Sequence, residues 1–288
     1  MKLTIQEYLK KKFPYKKILS DQSDENQKWF VDNQMVDAIN GYSNIKKYLN
    51  KKNKILEIGG GMHFLSNYLA YLNYDIISLE PGGFRSEVDE VRRRILKLKE
   101  PNLNIKNVYL ENIAIKYQNK FDFVYSINVL EHTKDLKKHL FSINEILRNE
   151  MSVCHIRCPN YTFPFESHFY KFFIPFFPKY TFNIIHKKKL IKLHGKKLYY
   201  STLKSINFKC TYFNIKRLNL NVKFLNPFED IFSRISKDKV FKERILSNKI
   251  IYQIYFIIKL TYSQKVLSIL FPKFLFPYLI INLKKLKS

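Results

Sequence analysis

Ile55-Leu56-Glu57-Ile58-Gly59-Gly60-Gly61-Met62-His63 is the stretch that decides the fold. A short apolar strand runs into three consecutive glycines, and a helical pattern follows, with Phe64, Leu65, Tyr68, Leu69 and Leu72 on one face. The whole chain has seven glycines, and two more are paired at Gly82-Gly83. Clustering of so scarce a residue marks backbone that no side chain fits. A strand, a glycine turn and a helix N-terminus together bring main-chain N–H groups close to an anionic ligand. Glu80 ends the next strand, 21 residues after Gly59, where an acid accepts hydrogen bonds from both hydroxyls of a ribose. The dinucleotide fingerprint needs a third glycine where Phe64 stands, and no Walker lysine is present. Alone, the triplet is a tight turn and Glu80 a solvated acid; in this order and spacing they point to a nucleoside.

Outward from this stretch, strand and helix patterns alternate. Strands are expected at 54–58, 74–79, 105–110, 121–127 and 153–157, with helices at 62–72, 86–98 and 136–147 between them. Helical spacing over 29–49 predicts cap helices before the first strand, so residues 1–44 are read as an N-terminal cap and 45–288 as the main domain. An aromatic lid or substrate segment is expected over 165–197, a helix at 198–206 and a strand at 208–218. A helical insertion is expected over 225–270, with two helices in 228–270, and a closing strand at 278–283. The fold class is α/β: a Rossmann-like, mostly parallel sheet with a C-terminal antiparallel strand, an N-terminal helical cap and a helical insertion near the C-terminus.

Composition narrows the partners. The 288 residues carry 51 Lys+Arg against 24 Asp+Glu, a formal charge of +27, with +6 in residues 1–150 and +21 in 151–288. A basic half of this kind suits nucleic acid, an anionic membrane or an anionic small substrate. Lysine accounts for 42 of the 51 cations, so coding bias is the competing explanation. Three cysteines exclude a disulfide framework and fit a reducing, cytoplasmic compartment. Met1 to Lys12 lacks the apolar run of a secretory signal, and lysines and prolines break Ile250 to Leu283, which argues against a spanning helix.

Glu57-Ile58-Gly59-Gly60-Gly61 and Phe121-Asp122-Phe123-Val124-Tyr125-Ser126-Ile127-Asn128-Val129-Leu130-Glu131-His132 together resemble the first and fourth motifs of class I S-adenosylmethionine-dependent methyltransferases of the small-molecule type. The similarity covers residues 30–165 and continues only in outline beyond them. It implies S-adenosyl-L-methionine as cofactor, with Glu57 and Gly59, Gly60 and Gly61 at its methionine end and Glu80 on the ribose. Glu111 and Asn112 would lie near the adenine, and Asn128 near the transferring methyl.

Methyl transfer from a sulfonium needs an aligned acceptor and, for a hydroxyl, a base. His132 follows the fourth strand, while Glu166 and His168 follow the fifth, in loops that border the ligand crevice of an open α/β sheet. These three are the expected catalytic residues, weighed against a loop cap at His132 and a structural role for the other two. The run Pro159-Asn160-Tyr161-Thr162-Phe163-Pro164-Phe165-Glu166-Ser167-His168 resembles a segment of methyltransferases in sugar and cell-surface polymer pathways.

No metal is expected. Quinone-pathway relatives that use a divalent ion carry an acid where Asn128 stands, and a strand puts Cys154 and His155 on opposite faces. Asn128-Val129-Leu130-Glu131 also lacks the Pro-Pro-aromatic sequence of nucleic-acid amino-methylating enzymes, which argues against nucleic acid. The expected activity is O-methylation of a small-molecule or carrier-linked saccharide acceptor, and an anionic acceptor would suit the basic half. Two alternatives stay open: a methyltransferase of a lipid or quinone-like acceptor, peripheral to the inner face of an anionic membrane, and a non-catalytic methyltransferase-like partner protein.

Overall fold

A computed structural model describes residues 2–19, 25–83, 86–169, 171–228, 231–232, 235, 242, 249–261 and 271–286. Its strands are β1 (Lys54–Ile58), β2 (Asp75–Leu79), β3 (Asn104–Lys106), β4 (Phe123–Ile127), β5 (Val153–Pro159), β6 (Phe165–Glu166), β7 (Lys171–Phe172), β8 (Asn221–Leu225) and β9 (Tyr278–Lys284). Seven of them form one sheet in the order β3-β2-β1-β4-β5-β9-β8, mostly parallel with an antiparallel edge. β6 and β7 form a separate antiparallel pair.

By contact density the chain divides into two units, one of Met1–Ile127, Phe141–His155 and Lys284–Ser288, the other of Asn128–Leu140 and Ile156–Leu283. In the first, β1 pairs in parallel with both β2 and β4, and β2 with β3. β1 and β4 are therefore central strands, buried along nearly their whole length, which is why they read as mostly apolar runs broken only by Glu57 and Ser126 and not as alternation. Their core takes in Ile55, Phe123 and Tyr125 together with Phe64, Leu65 and Leu69 of helix Phe64–Tyr71. Helix Glu25–Ile45 is the expected cap element and adds Val31, Ala38 and Ile45 to that core. A shorter helix, Ile5–Lys12, precedes it, started by a reciprocal cap between Thr4 and Glu7.

The strand expected over 105–110 shrinks to three residues. Asn107 accepts a hydrogen bond from the Arg92 guanidinium on its side-chain oxygen, and a 3-10 turn begins at Leu110. Asn104 and Lys106 of β3 are also exposed, so little apolar burial extends this edge.

In the second unit, the strand expected over 208–218 is instead a helix, Tyr212–Lys216, because the Thr211 hydroxyl accepts from Asn214 N–H and starts a helical turn. The strand itself follows at Asn221–Leu225. Helix Lys196–Ser205 is the one expected over 198–206, beginning two residues earlier and ending one residue earlier. Of the two helices expected in 228–270, Lys249–Leu260 is present and most of the remainder lies outside the described residues. Asn160, 1% exposed, ties this unit together. Its amide donates to the carbonyls of Phe274 and Phe276, while its oxygen accepts from Thr162 and Tyr212 N–H.

Candidate functional site

The glycine loop follows β1 and is braced from beneath. Gly59 and Gly60 N–H both donate to the Leu79 carbonyl, at 2.8 and 2.9 Å, which locks the loop to the end of β2. Gly59 and Gly61 have φ of 73° and 53°, the left-handed region that glycine adopts without strain. Gly60 is required for a different reason: a Cβ there would collide with Ser78 Oγ, His63 Nδ1 and Glu57 Oε2.

Those three groups form a buried chain. Glu57 accepts from the Ser78 hydroxyl and, at 3.0 Å, from Tyr125. His63 Nδ1 lies 2.8 Å from Ser78 Oγ, and its Nε2 lies 3.1 Å from an Arg92 guanidinium nitrogen. Arginine only donates, so Nε2 accepts and Nδ1 carries the proton. Burial, reinforced by the Arg92 charge, pushes His63 down to about 3, while burial raises Glu57 above the usual carboxylate range. Glu57 thus buttresses the loop with both oxygens. None of Ser78, Tyr125, His63 and Arg92 stood out in the sequence as loop supports; a His two residues after the glycine triplet was the one available signal.

Glu80 is held at the carboxyl end of β2 by two backbone donors, Gly61 N–H at 2.9 Å and Gly82 N–H at 3.0 Å, one to each oxygen. Burial raises its pKa, opposed by those two hydrogen bonds. Each oxygen keeps lone-pair capacity beyond its backbone bond. Such a carboxylate, beside a loop without side chains, can accept from paired hydroxyls, as expected for a ribose. Glu111 and Asn112 sit on the 3-10 turn Leu110–Asn112, which leaves the same end of the parallel strands; Glu111 is partly buried and Asn112 exposed.

In the second unit, Asn128 has φ of 56° and donates its N–H to the Arg157 carbonyl at 2.8 Å. His132, Glu166 and His168 come together here. Glu166 is fully buried; one oxygen lies 2.5 Å from His168 Nδ1 and the other accepts Phe169 N–H at 2.6 Å. The His132 ring packs edge-on to His168 at 5.1 Å, with Nδ1 3.2 Å from the Ser205 carbonyl. Burial pushes His132 down to about 4, with the neighbouring His168 adding to the effect. For His168 burial also pulls downward, but the hydrogen bond and charge of Glu166 outweigh it and the net shift is upward. Glu131, beside His132 and 1% exposed, joins the cluster; burial pushes its carboxyl up to about 7. Sequence reading passed over Glu131, whose position in Leu130-Glu131-His132 was the available signal.

Cys154, Cys158 and Cys210 are free and buried, with the Cys158 and Cys210 sulfurs 3.6 Å apart. His155 packs against Tyr48 in the first unit's core.

Comparison with known proteins places these motifs in a family. A family model described as a methyltransferase domain matches residues 29–186, more than half of the chain. Two uncharacterized proteins of Mycobacterium tuberculosis, MT1557 and Rv1509, are each 36% identical over 120 residues, covering 40% of this chain and 39% of theirs. The match therefore spans less than half the length of these curated relatives. Among solved structures, the chain is similar to an S-adenosylmethionine-dependent methyltransferase from Mesorhizobium loti, with 10% identity, TM-score 0.48, and 85% of this chain and 98% of that one covered. It is also similar to phosphoethanolamine N-methyltransferase 2 of Haemonchus contortus, with 14% identity, TM-score 0.43, and coverage of 99% and 61%. With the family model covering both the glycine loop and the Glu166–His168 segment, the chain belongs to the methyltransferase-domain family.

Proposed function

We propose that the chain is an S-adenosylmethionine-dependent methyltransferase that methylates a hydroxyl oxygen of a small molecule or carrier-linked saccharide. Glu80 and the Gly59–Gly61 loop hold the cofactor, which supplies an activated methyl for in-line displacement. The His132/Glu166/His168 cluster handles the acceptor. The observation that carries the oxygen reading is the Glu166–His168 pair: a buried carboxylate fixes the ring and leaves Nε2 as the atom presented to a hydroxyl. An amine acceptor needs its proton removed as well, but a hydroxyl, with its far higher pKa, gains most from such a pair. Family membership and the intact glycine loop with Glu80 favour an enzyme over a silent partner protein.

Calorimetry with S-adenosylhomocysteine tests the cofactor assignment, and transfer of labelled methyl to polyhydroxylated acceptors tests the acceptor class. Binding without any transfer to hydroxyl acceptors would remove the oxygen reading. No binding by the intact protein would remove the enzyme.

A second reading concerns location. Phe176, Phe177, Ile184 and Leu193 are 94%, 61%, 60% and 63% exposed in the second unit. They lie in the stretch Ser167 to Phe228, which has 13 Lys+Arg and no acidic residue. Exposed aromatic and aliphatic side chains among cations suit shallow insertion into an anionic bilayer surface. No helix among the described residues is long and apolar enough to cross a membrane. Co-sedimentation with phosphatidylglycerol vesicles but not phosphatidylcholine vesicles, lost in Phe176→Ser/Phe177→Ser, is the expected result. Equal behaviour with both lipids would remove this reading.

A further inference from the structure

Glu131, His132 and His168 bring one carboxylate oxygen and one ring nitrogen from each imidazole within 4.8 Å of one another. Only folding assembles this set, since 35 residues separate His132 from His168. Three features distinguish it from a chance cluster. The Oε2 atom of Glu131 is buried and has no hydrogen-bond partner in the protein, a costly state for a carboxylate that nothing coordinates. Both rings are anchored through Nδ1, His132 on the Ser205 carbonyl and His168 on the Glu166 carboxylate. That pairing leaves Nε2 of each ring as the lone-pair donor, and an oxygen acceptor behind the ring is the arrangement that orients and strengthens metal-binding histidines. Finally, the Glu131 side chain is 1% exposed while those of His132 and His168 are 35% and 30% exposed, so one side stays open for a further ligand.

We infer that Glu131, His132 and His168 bind a divalent transition-metal ion, with coordination positions left open for an oxygen ligand. Two imidazoles and one carboxylate suit zinc, manganese, iron or cobalt rather than calcium or magnesium. Closing the three donors onto one ion requires small rotations: His132 Nε2 and Glu131 Oε1 are 4.0 Å apart, against about 3–4 Å across a typical coordination sphere with metal–ligand bonds near 2 Å.

The catalytic use of this ion rests on the oxygen-methylation reading; its binding does not. Coordination of the acceptor hydroxyl would lower its pKa, so that its proton passes to solvent and the alkoxide oxygen forms the new bond to the methyl as the carbon–sulfur bond breaks. With the ion bound, His168 Nε2 is a ligand and no longer the base, so the ion takes over activation of the hydroxyl; His132 is the second nitrogen ligand, and Glu166 is a positioning residue behind His168.

The test uses tag-free full-length protein stripped with a chelator and titrated with cobalt(II) alone, followed by visible d–d absorption and calorimetry. One equivalent is expected to bind, with spectra showing nitrogen ligation. Glu131→Gln and His132→Ala should each lower affinity at least tenfold, and Glu166→Gln by about 10–100-fold through loss of ring orientation. Each variant should keep wild-type circular dichroism and S-adenosylhomocysteine affinity. His186→Gln, elsewhere in the second unit, should bind as wild type. The proposal is overturned if the wild type takes up no stoichiometric cobalt, or if folded Glu131→Gln and Glu166→Gln bind it unchanged. Should His132→Ala fail to fold, the two isosteric carboxamide variants decide the matter. Cobalt binding with no methyl transfer would leave the metal site standing and remove the activity; normal transfer after chelation would confine the ion to a structural role.

Discussion

His63 accepts a hydrogen bond at Nε2 from Arg92 while its Nδ1 faces the Ser78 hydroxyl, so the ring beneath the glycine loop is neutral. With no solvent exposure, its pKa is pushed from 6.5 down to about 3 by burial and by Arg92. The unfolded chain takes up a proton near the ordinary value and the folded chain does not. Stability from this group is complete above pH 6.5 and declines as pH falls toward about 3. At pH 5 the loss is about 2 kcal/mol. Glu57, also facing the ring through Ser78, and Glu80 have raised pKa values and act in the opposite sense. Comparing the pH dependence of urea midpoints in wild type and His63→Gln isolates the histidine: the variant should lose less stability between pH 6.5 and 4. Parallel curves would contradict the assignment.

Gly60→Ala should destabilise the protein by about 1–3 kcal/mol, because the new methyl overlaps three groups of the buried chain. Gly83, with φ of 85° and nothing within 4 Å of an added Cβ, carries only the conformational penalty. Gly83→Ala should therefore cost about 1–2 kcal/mol, and only Gly60→Ala should disturb cofactor binding through the loop. Thermal melts with and without S-adenosylhomocysteine separate the two effects.

Glu80→Ala should weaken S-adenosylhomocysteine binding by about 10–100-fold, the scale expected for hydrogen bonds to a charged group. It also releases the N–H groups of Gly61 and Gly82. Glu80→Gln keeps one acceptor and should fall between the two. Titration calorimetry checks the order; equal affinity in all three proteins would move the ribose contact elsewhere.

Asn160→Ala removes four hydrogen bonds to backbone groups, one of them buried and three partly buried, and should cost about 3 kcal/mol. Denaturant unfolding measures the loss, which should leave the pH behaviour of His63 unchanged, since Asn160 lies in the other unit.

How much of this was legible in advance varies with the kind of interaction. β1 was readable residue for residue, because a central parallel strand is buried on both faces and its mostly apolar run stops where the glycines begin. The strand expected over 208–218 failed for a local reason: its apolar residues fit either period, and one threonine cap decided for helix. The short β3 failed because an arginine side chain from helix Ser86–Lys97 captured Asn107. Neither capture nor cap is visible in hydrophobic periodicity.

The sequence by itself determined the alternation of strand and helix, the glycine loop and the acid at the end of β2, since each depends on residues near one another in the chain. Only tertiary structure decided what supports that loop and what surrounds His168. Ser78, Tyr125 and Arg92 reach Glu57 and His63 from other elements, and Glu131 meets His168 across 36 intervening residues. Buried polar groups must find partners wherever the fold brings them, and that requirement acts through space rather than along the chain.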